Sequence, residues 1–319
     1  MRNDRKQVKS AEINRVQSYH EGGRLCADRE RYAFEGFRSN KYFTSDRYEE
    51  LDESFRRKGG QALKGYGLEI ETECSGISNE TVLAEVLHKI IFDHFPADLF
   101  KLQRDGSLCG SSSAECITQI MTREFVRNNY ASFKLMYDVY FPAFGIGCAS
   151  GNCGMHVNIS NACFGAAKKT QDEAIRKLYY IVNKHFDFCC ELFRRDRRRL
   201  TYCARMDAGQ ARTMDLSAFG SNHYCCFNLG HYSAGRIELR IVGGQKNYAS
   251  FRNTMECVFW LVDAVKRLSW SDCDDLVKIF RGCNQYVFDR IRSYCREAGT
   301  IRQDQVDEIR GSVVRADYI

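Results

Sequence analysis

Between Gly67 and Glu73 the chain reads Gly-Leu-Glu-Ile-Glu-Thr-Glu, alternating apolar and acidic positions, and that period of two predicts a strand. Cys153 to Ser160 alternates in the same way through Met155, Val157 and Ile159. Arg236 to Val242 does so through Ile237, Leu239 and Ile241. Ala114 to Met121 and Tyr224 to Gly230 also read as strands, and the Ser-, Ala- and Gly-rich turn before Arg236 makes 224–242 a hairpin candidate. Helical spacing takes over elsewhere. Asn79 is a candidate cap for a helix with Val82, Leu83, Val86, Leu87, Ile90 and Ile91 on one face. Thr122 opens a helix toward Tyr140, which Pro142 is expected to stop. Thr170 and Glu173 form a capping-box pattern ahead of a long helix lined by Ile175, Leu178, Val182, Phe186, Cys189 and Phe193. A further helix is expected from about Tyr248 to Leu268, and helix-like segments follow Ser271.

The strands do not alternate regularly with helices, and neither GxGxxG nor GxxxxGK[ST] occurs. The expected class is therefore α+β, a mainly antiparallel sheet with flanking helices. Residues 1–60, dense in charge and tyrosine and broken at Gly59-Gly60, are expected to be a helical or partly disordered extension. Residues 61–270 are expected to form one domain, with 271–319 a C-terminal helical segment.

Composition narrows the class of protein. The 319 residues are 44% hydrophobic and 28% charged, enough apolar content for a core. The run Val258 to Val262 is far shorter than the roughly 20 residues a membrane span needs. No apolar segment follows the charged Met1 to Lys6, so the expected location is the cytoplasm. Sixteen cysteines contain no CxxC pair, and Cys189, Cys190, Cys225, Cys226 and Cys257 sit inside apolar patterns, which points to reduced, structural thiols. Cys148 and Cys153 precede His156, with a spacing that matches zinc sites poorly. The net charge of +6 and a pI of about 8.5 suit anionic ligands but lie below the range of dedicated nucleic-acid binders. The run Arg194 to Arg199, Arg195 included, is either a solvated helix end or a site for phosphate or an acidic substrate.

The chemistry lies on the strands. Glu69, Glu71 and Glu73 share a face opposite Leu68 and Ile70, with neighbours about 7 Å apart. At an effective dielectric of 20 each neighbouring pair repels by about 2 kcal/mol. Water disperses that repulsion on a surface strand; in a cleft, hard cations such as Mg²⁺ or Mn²⁺ offset it. His156 and Asn158 share the polar face of a second strand, Glu238 and Arg240 that of a third. Arg104-Asp105-Gly106-Ser107 reads as a tight turn before the strand bearing Glu115. Each residue alone has a structural explanation; one acidic cavity would account for all of them.

Five segments, GLEIETE, RDGSL followed by SAECIT, CGMHVNIS, HYCCFNLG and RIELRIVGGQKNY, together resemble the ordered motifs of the amidoligase family. That family is similar in fold to glutamine synthetase and glutamate–cysteine ligase, and the resemblance runs from about Gly65 to Leu268. It implies a glutamine synthetase-like catalytic domain that uses ATP with Mg²⁺ or Mn²⁺. By position it makes Glu69, Glu71, Glu115 and Glu238 metal ligands, with His156 a ligand or phosphate contact. Arg240 would lie against the transferred phosphoryl group, and Asp105 is a catalytic candidate by its motif alone. Ser107, His156 and Asn158, with Arg195 from the basic run, are the candidate nucleotide contacts. Two positions depart from the family pattern: Asn158 stands where a histidine is usual, and Gln245 where a threonine is. The implied reaction joins a carboxylate to an amine through an acyl phosphate, with an amino acid, peptide or protein as substrate and neither nucleic acid nor membrane as partner. The same acidic residues would also serve a metal-dependent hydrolase or nuclease, and the arginines a non-catalytic anion-binding protein.

Overall fold

The computed structural model describes residues 41–43, 64–74, 83, 86–87, 89–91, 94–95, 99–103, 108, 113–148, 152–218 and 224–314. Its strands are β1 (Lys41–Phe43), β2 (Tyr66–Cys74), β3 (Phe100–Gln103), β4 (Ser113–Thr118), β5 (Ile146–Gly147), β6 (Met155–Ser160), β7 (Phe227–Asn228) and β8 (Arg236–Leu239). The pairs β1/β3, β3/β4, β2/β4, β2/β5, β6/β8 and β7/β8 are all antiparallel. Helices and antiparallel strands together make the class α+β. The chain gathers into two compact units. The first takes Met1–Arg57, Gly67–Met155 and Gly244–Tyr248; the second takes Lys58–Tyr66, His156–Gly243 and Ala249–Ile319.

In the first unit the strand order is β1-β3-β4-β2, with β5 also on β2. Leu68 and Ile70 are fully buried, as their alternation demands, and Thr72 on the same face donates to the Ala114 carbonyl at 2.7 Å. Leu83, Val86, Leu87, Ile90 and Ile91 of the expected apolar stripe are helical and buried. Val82 and the candidate cap Asn79 lie outside the described residues. Phe95 meets Phe100 and Phe133 edge-on, with ring centroids 5.1 and 4.9 Å apart. Within residues 1–60 only Lys41–Phe43 are described, and they are strand rather than helix, Lys41 opposite Gln103.

Thr122 caps α1 (Arg123–Asn128) as expected, accepting from the Phe125 amide at 3.0 Å. The path beyond is not one helix. Asn129 separates α2 (Tyr130–Leu135), a π turn over Met136–Tyr140 follows, and α3 (Phe141–Phe144) carries Pro142 in its first turn. A first-turn proline lacks only an N–H that the helix start does not use, so Pro142 does not stop the chain here. Gly145 does, in the left-handed conformation at φ 70°.

The second unit pairs β6-β8-β7. The expected hairpin forms, with a 3-10 turn at Tyr232–Ala234 and Gly235 left-handed at φ 90°. The long helix begins two residues before its expected cap. In α4 (Lys168–Lys184) Thr170 is inside the helix and donates to the Ala167 carbonyl, while Glu173 pairs with Lys177 at 2.7 Å. At His185 the backbone leaves the helical region and α5 (Phe186–Leu192) follows, so one expected helix is two. The predicted stripe from Ile175 to Phe193 is nevertheless buried throughout. Next come α6 (Tyr248–Arg267), close to its expected span, then α7 (Leu276–Phe280), α8 (Gln285–Arg290) and α9 (Gln303–Arg310). Buried Arg290 on α8 ties to α6 through the Ser250 carbonyl at 2.9 Å and the Thr254 hydroxyl, so residues beyond 270 belong to this unit's core. Among the described residues no helix is long and apolar enough to cross a membrane.

Candidate functional site

The expected site residues divide between the units: Glu69, Glu71 and Glu115 in the first, and His156, Asn158, Arg195, Glu238 and Arg240 in the second. Asp105 and Ser107 lie outside the described residues.

In the first unit the β2/β4 register sets Glu71 directly opposite Glu115, with Glu69 opposite Ile117 and Glu73 opposite Ser113. Gln103 is the β3 neighbour of Glu115. Directly opposed residues hold their Cβ atoms about 5 Å apart, and opposed like charges destabilise a ladder. Glu71 is buried at 5% exposure and its Oε2 accepts from the Gly154 amide; Glu73, half-buried, accepts from Asn152 at 3.2 Å. This strand face concentrates carboxylate oxygens, the donor type that Mg²⁺ and Mn²⁺ prefer.

In the second unit the polar face is built around Glu238, 3% exposed. Asn158 on β6 and Asn228 on β7 are its direct neighbours in the register. The Asn228 amide donates to Glu238 Oε2 at 2.7 Å, and Arg240 Nη1 donates to Oε1 at 2.6 Å. His156 Nδ1 lies 3.5 Å from that same Oε1 and 3.5 Å from Arg240 Nη1. As a donor Nδ1 serves the carboxylate; as an acceptor it serves the guanidinium. Buried charges persist where they are paired and hydrogen-bonded, and Glu238 is both. Asn228 was not foreseen from the sequence. Its signal was the hairpin itself, since Asn228 and Glu238 stand equally far from Ser233 at the turn.

The basic run begins after its helix rather than inside it. Helix α5 closes with the Arg195 amide donating to the Cys190 carbonyl at 2.8 Å and the Arg194 amide to the Glu191 carbonyl at 3.2 Å. That closure puts Arg194 at φ 60°, where glycine is usual, and its guanidinium stacks 4.2 Å from the Tyr294 ring. Burial raises the Cys203 thiol's pKa, and the positive charges of Arg195 and Arg240 oppose the rise. Arg195 Nε is itself buried with no hydrogen-bond partner among the described residues. Arg197 and Arg198 pair instead with Asp187 and Asp196 on the surface, the bland role for such a run.

The two glycines of the last motif are required by close approach. A Cβ on Gly243 would overlap the Arg194 carbonyl, and one on Gly244 would overlap the Cys148 carbonyl. All fourteen described cysteines are free and buried. Comparison of the chain with protein-family models and with curated proteins found no match.

Proposed function

We propose that the chain is an ATP-dependent carboxylate–amine ligase with a glutamine synthetase-like catalytic domain. The observation that carries this reading is Glu238: a buried carboxylate held on one oxygen by Arg240 beside His156, and on the other by Asn228. An ion pair needed only for stability gains little from burial, because desolvating both charges offsets most of their attraction. A polar face this ordered is better explained by chemistry done on it.

In this reading Glu69, Glu71, Glu115, His156 and Glu238 hold Mg²⁺ or Mn²⁺, and the carboxylate-rich donor set fits such hard ions. The metal's contribution is to neutralise phosphate charge. Arg240, its plane fixed by Glu238, grips the phosphoryl group in transfer with a fork that matches two phosphate oxygens. Arg195, with His156, Asn158 and Ser107, holds the remaining nucleotide oxygens. A substrate carboxylate oxygen attacks the terminal phosphorus and ADP leaves with the bonding pair. The amine nitrogen then attacks the acyl carbon and phosphate departs. Asp105 is the candidate for removing the amine proton. The proposed co-substrates are an amino acid, peptide or protein, and the proposed location is the cytoplasm.

The test is isotopic. ATP consumption should require both a carboxylate and an amine, and ¹⁸O placed in the carboxylate should appear in the released phosphate. ATP or phosphodiester cleavage indifferent to both co-substrates would favour a metal-dependent hydrolase and sink the ligase.

A further inference from the structure

Cys148 and Cys153, whose spacing suits a zinc site poorly, stand beside two points at which the chain is held to β2. Gly147 is opposite Glu73 in the β2/β5 ladder, and the Glu71 amide donates to the Gly154 carbonyl at 3.2 Å. Gly147 and Gly154 therefore meet β2 two residues apart, about 7 Å along the strand. Cys148 and Cys153 lie just inside those two contacts. Side-chain and backbone contacts then draw them together. The Cys153 thiol donates to the Gly147 carbonyl, Sγ to oxygen 3.8 Å, and so reaches the peptide group that joins Gly147 to Cys148. The Gly244 amide donates to the Cys153 carbonyl at 3.2 Å. A Cβ on Gly244 would lie 3.0 Å from that carbonyl oxygen and would overlap the Cys148 carbonyl, so the two carbonyls are neighbours. A disulfide needs Cα atoms roughly 4.4–6.8 Å apart, a span that this closure matches. Both residues are buried, at 4% exposure, and both are free.

The residues on either side of Cys153 serve the acidic strand face. Asn152 donates to Glu73 at 3.2 Å, and the Gly154 amide donates to Glu71 Oε2. Fixing Cys153 in place fixes both donors. A cation on Glu71 and the opposed Glu115 competes with the Gly154 amide for carboxylate lone pairs. A donor that cannot draw back weakens the hold on the ion.

We propose that Cys148 and Cys153 form a reversible disulfide, whose closure pins the Asn152 and Gly154 donors on the acidic face and lowers its affinity for a divalent cation. The pair stands on its own geometry, and the effect on the cation rests on the ligase reading above. The oxidant is a low-molecular-weight disulfide such as glutathione disulfide. One cysteine thiolate attacks a glutathione sulfur and displaces the first glutathione thiolate. The other cysteine thiolate attacks its neighbour's sulfur in the mixed disulfide and displaces the second. One S–S bond breaks and one forms, and the two electrons and two protons lost by the cysteines appear in two glutathione thiols. Burial raises the Cys148 pKa, which keeps its thiolate scarce and the exchange slow.

The full chain is equilibrated with excess glutathione disulfide, and a portion is afterwards returned to dithiothreitol, each until its peptide map stops changing. Free thiols are then alkylated in denaturant. Within the tryptic peptide from Leu135 to Lys168, oxidised wild type should carry Cys148 and Cys153 unlabelled and linked, and dithiothreitol should restore both. Titration with Mn²⁺ should show an affinity at least about five-fold weaker in the oxidised chain. Cys148→Ser and Cys153→Ser should keep the reduced affinity under both conditions. Cys148 and Cys153 labelled after oxidation, or linked to other cysteines, would overturn the pair. A linked pair with unchanged Mn²⁺ affinity would overturn the regulation. If neither form of the wild type binds Mn²⁺, the metal site of the ligase reading fails and the regulation with it, while the peptide map still decides the disulfide.

Discussion

The acidic strand face of the first unit and the polar strand face of the second use the same device, charged side chains at alternate positions, and arrange it in opposite ways. On β2 and β4 like meets like: Glu71 stands opposite Glu115 in the ladder, and a backbone amide holds Glu71. On β6, β7 and β8 unlike groups meet: Glu238 is bound by a guanidinium and a carboxamide, with an imidazole 3.5 Å away. The second face sets its carboxylate among donors; the first sets two carboxylates opposite each other in the ladder. Under the ligase reading the first face binds metal and the second positions Arg240, and that contrast is open to attack by substitution.

The largest effect is expected where the motif glycines meet backbone. Gly244→Ala drives a Cβ into the Cys148 carbonyl, and Gly243→Ala drives one into the Arg194 carbonyl. Each should cost about 4 kcal/mol or more in a denaturant titration. Mild effects would mean that this approach is looser than it looks. Glu238→Gln comes next. It leaves Arg240 buried without its carboxylate and should destabilise the fold by about 3 kcal/mol. Equal stability would remove the claim that the second face is charge-compensated.

Arg240→Lys keeps the charge and should fold normally, but it loses the planar fork. Under the ligase reading turnover should fall at least about 100-fold, or about 2.7 kcal/mol of transition-state stabilisation, with little loss of nucleotide affinity. Near-normal turnover would reduce Arg240 to a structural partner of Glu238. The opposite sign is expected on the first face. Glu115→Gln removes one of two opposed carboxylates and should raise metal-free stability by about 0.5 kcal/mol. It should also weaken the rise in thermal midpoint that Mn²⁺ produces in the wild type. A loss of stability without metal would show that the partners of Glu115 outweigh the repulsion across the ladder.

The smallest effect at neutral pH is alkaline. Burial pushes the Cys190 and Cys283 thiols up to about 12, against about 8.5 in an unfolded chain. Folding therefore keeps protons that unfolding releases, and their contribution is fully present below about pH 8.5. Stability should fall by about 1.4 kcal/mol per pH unit for each such thiol between there and about pH 12. Unfolding midpoints measured from pH 8 to pH 11 that stay flat would contradict the burial. Alkylation of the native protein should label a minority of thiols for the same reason.

The alternation of residues 67–73, 155–160 and 236–241 determined from sequence alone which side chains share a face, because a strand has only two sides. Apolar spacing likewise determined the buried stripe of α4 and α5 and the approximate span of α6, and alternation with a turn-rich segment gave the hairpin. Whether each stripe ran as one helix did not follow from spacing: the π turn before Phe141 and the break at His185 preserve the stripe while interrupting the hydrogen bonds. Nor did spacing show that Pro142 would start a helix turn instead of ending one. The partners of each charge were decided only in three dimensions. Strand register put Glu115 across from Glu71 and Asn228 beside Glu238. Periodicity is a property of one strand, whereas a site is a relation among several, and that relation forms only once backbone pairing has fixed which residues stand side by side.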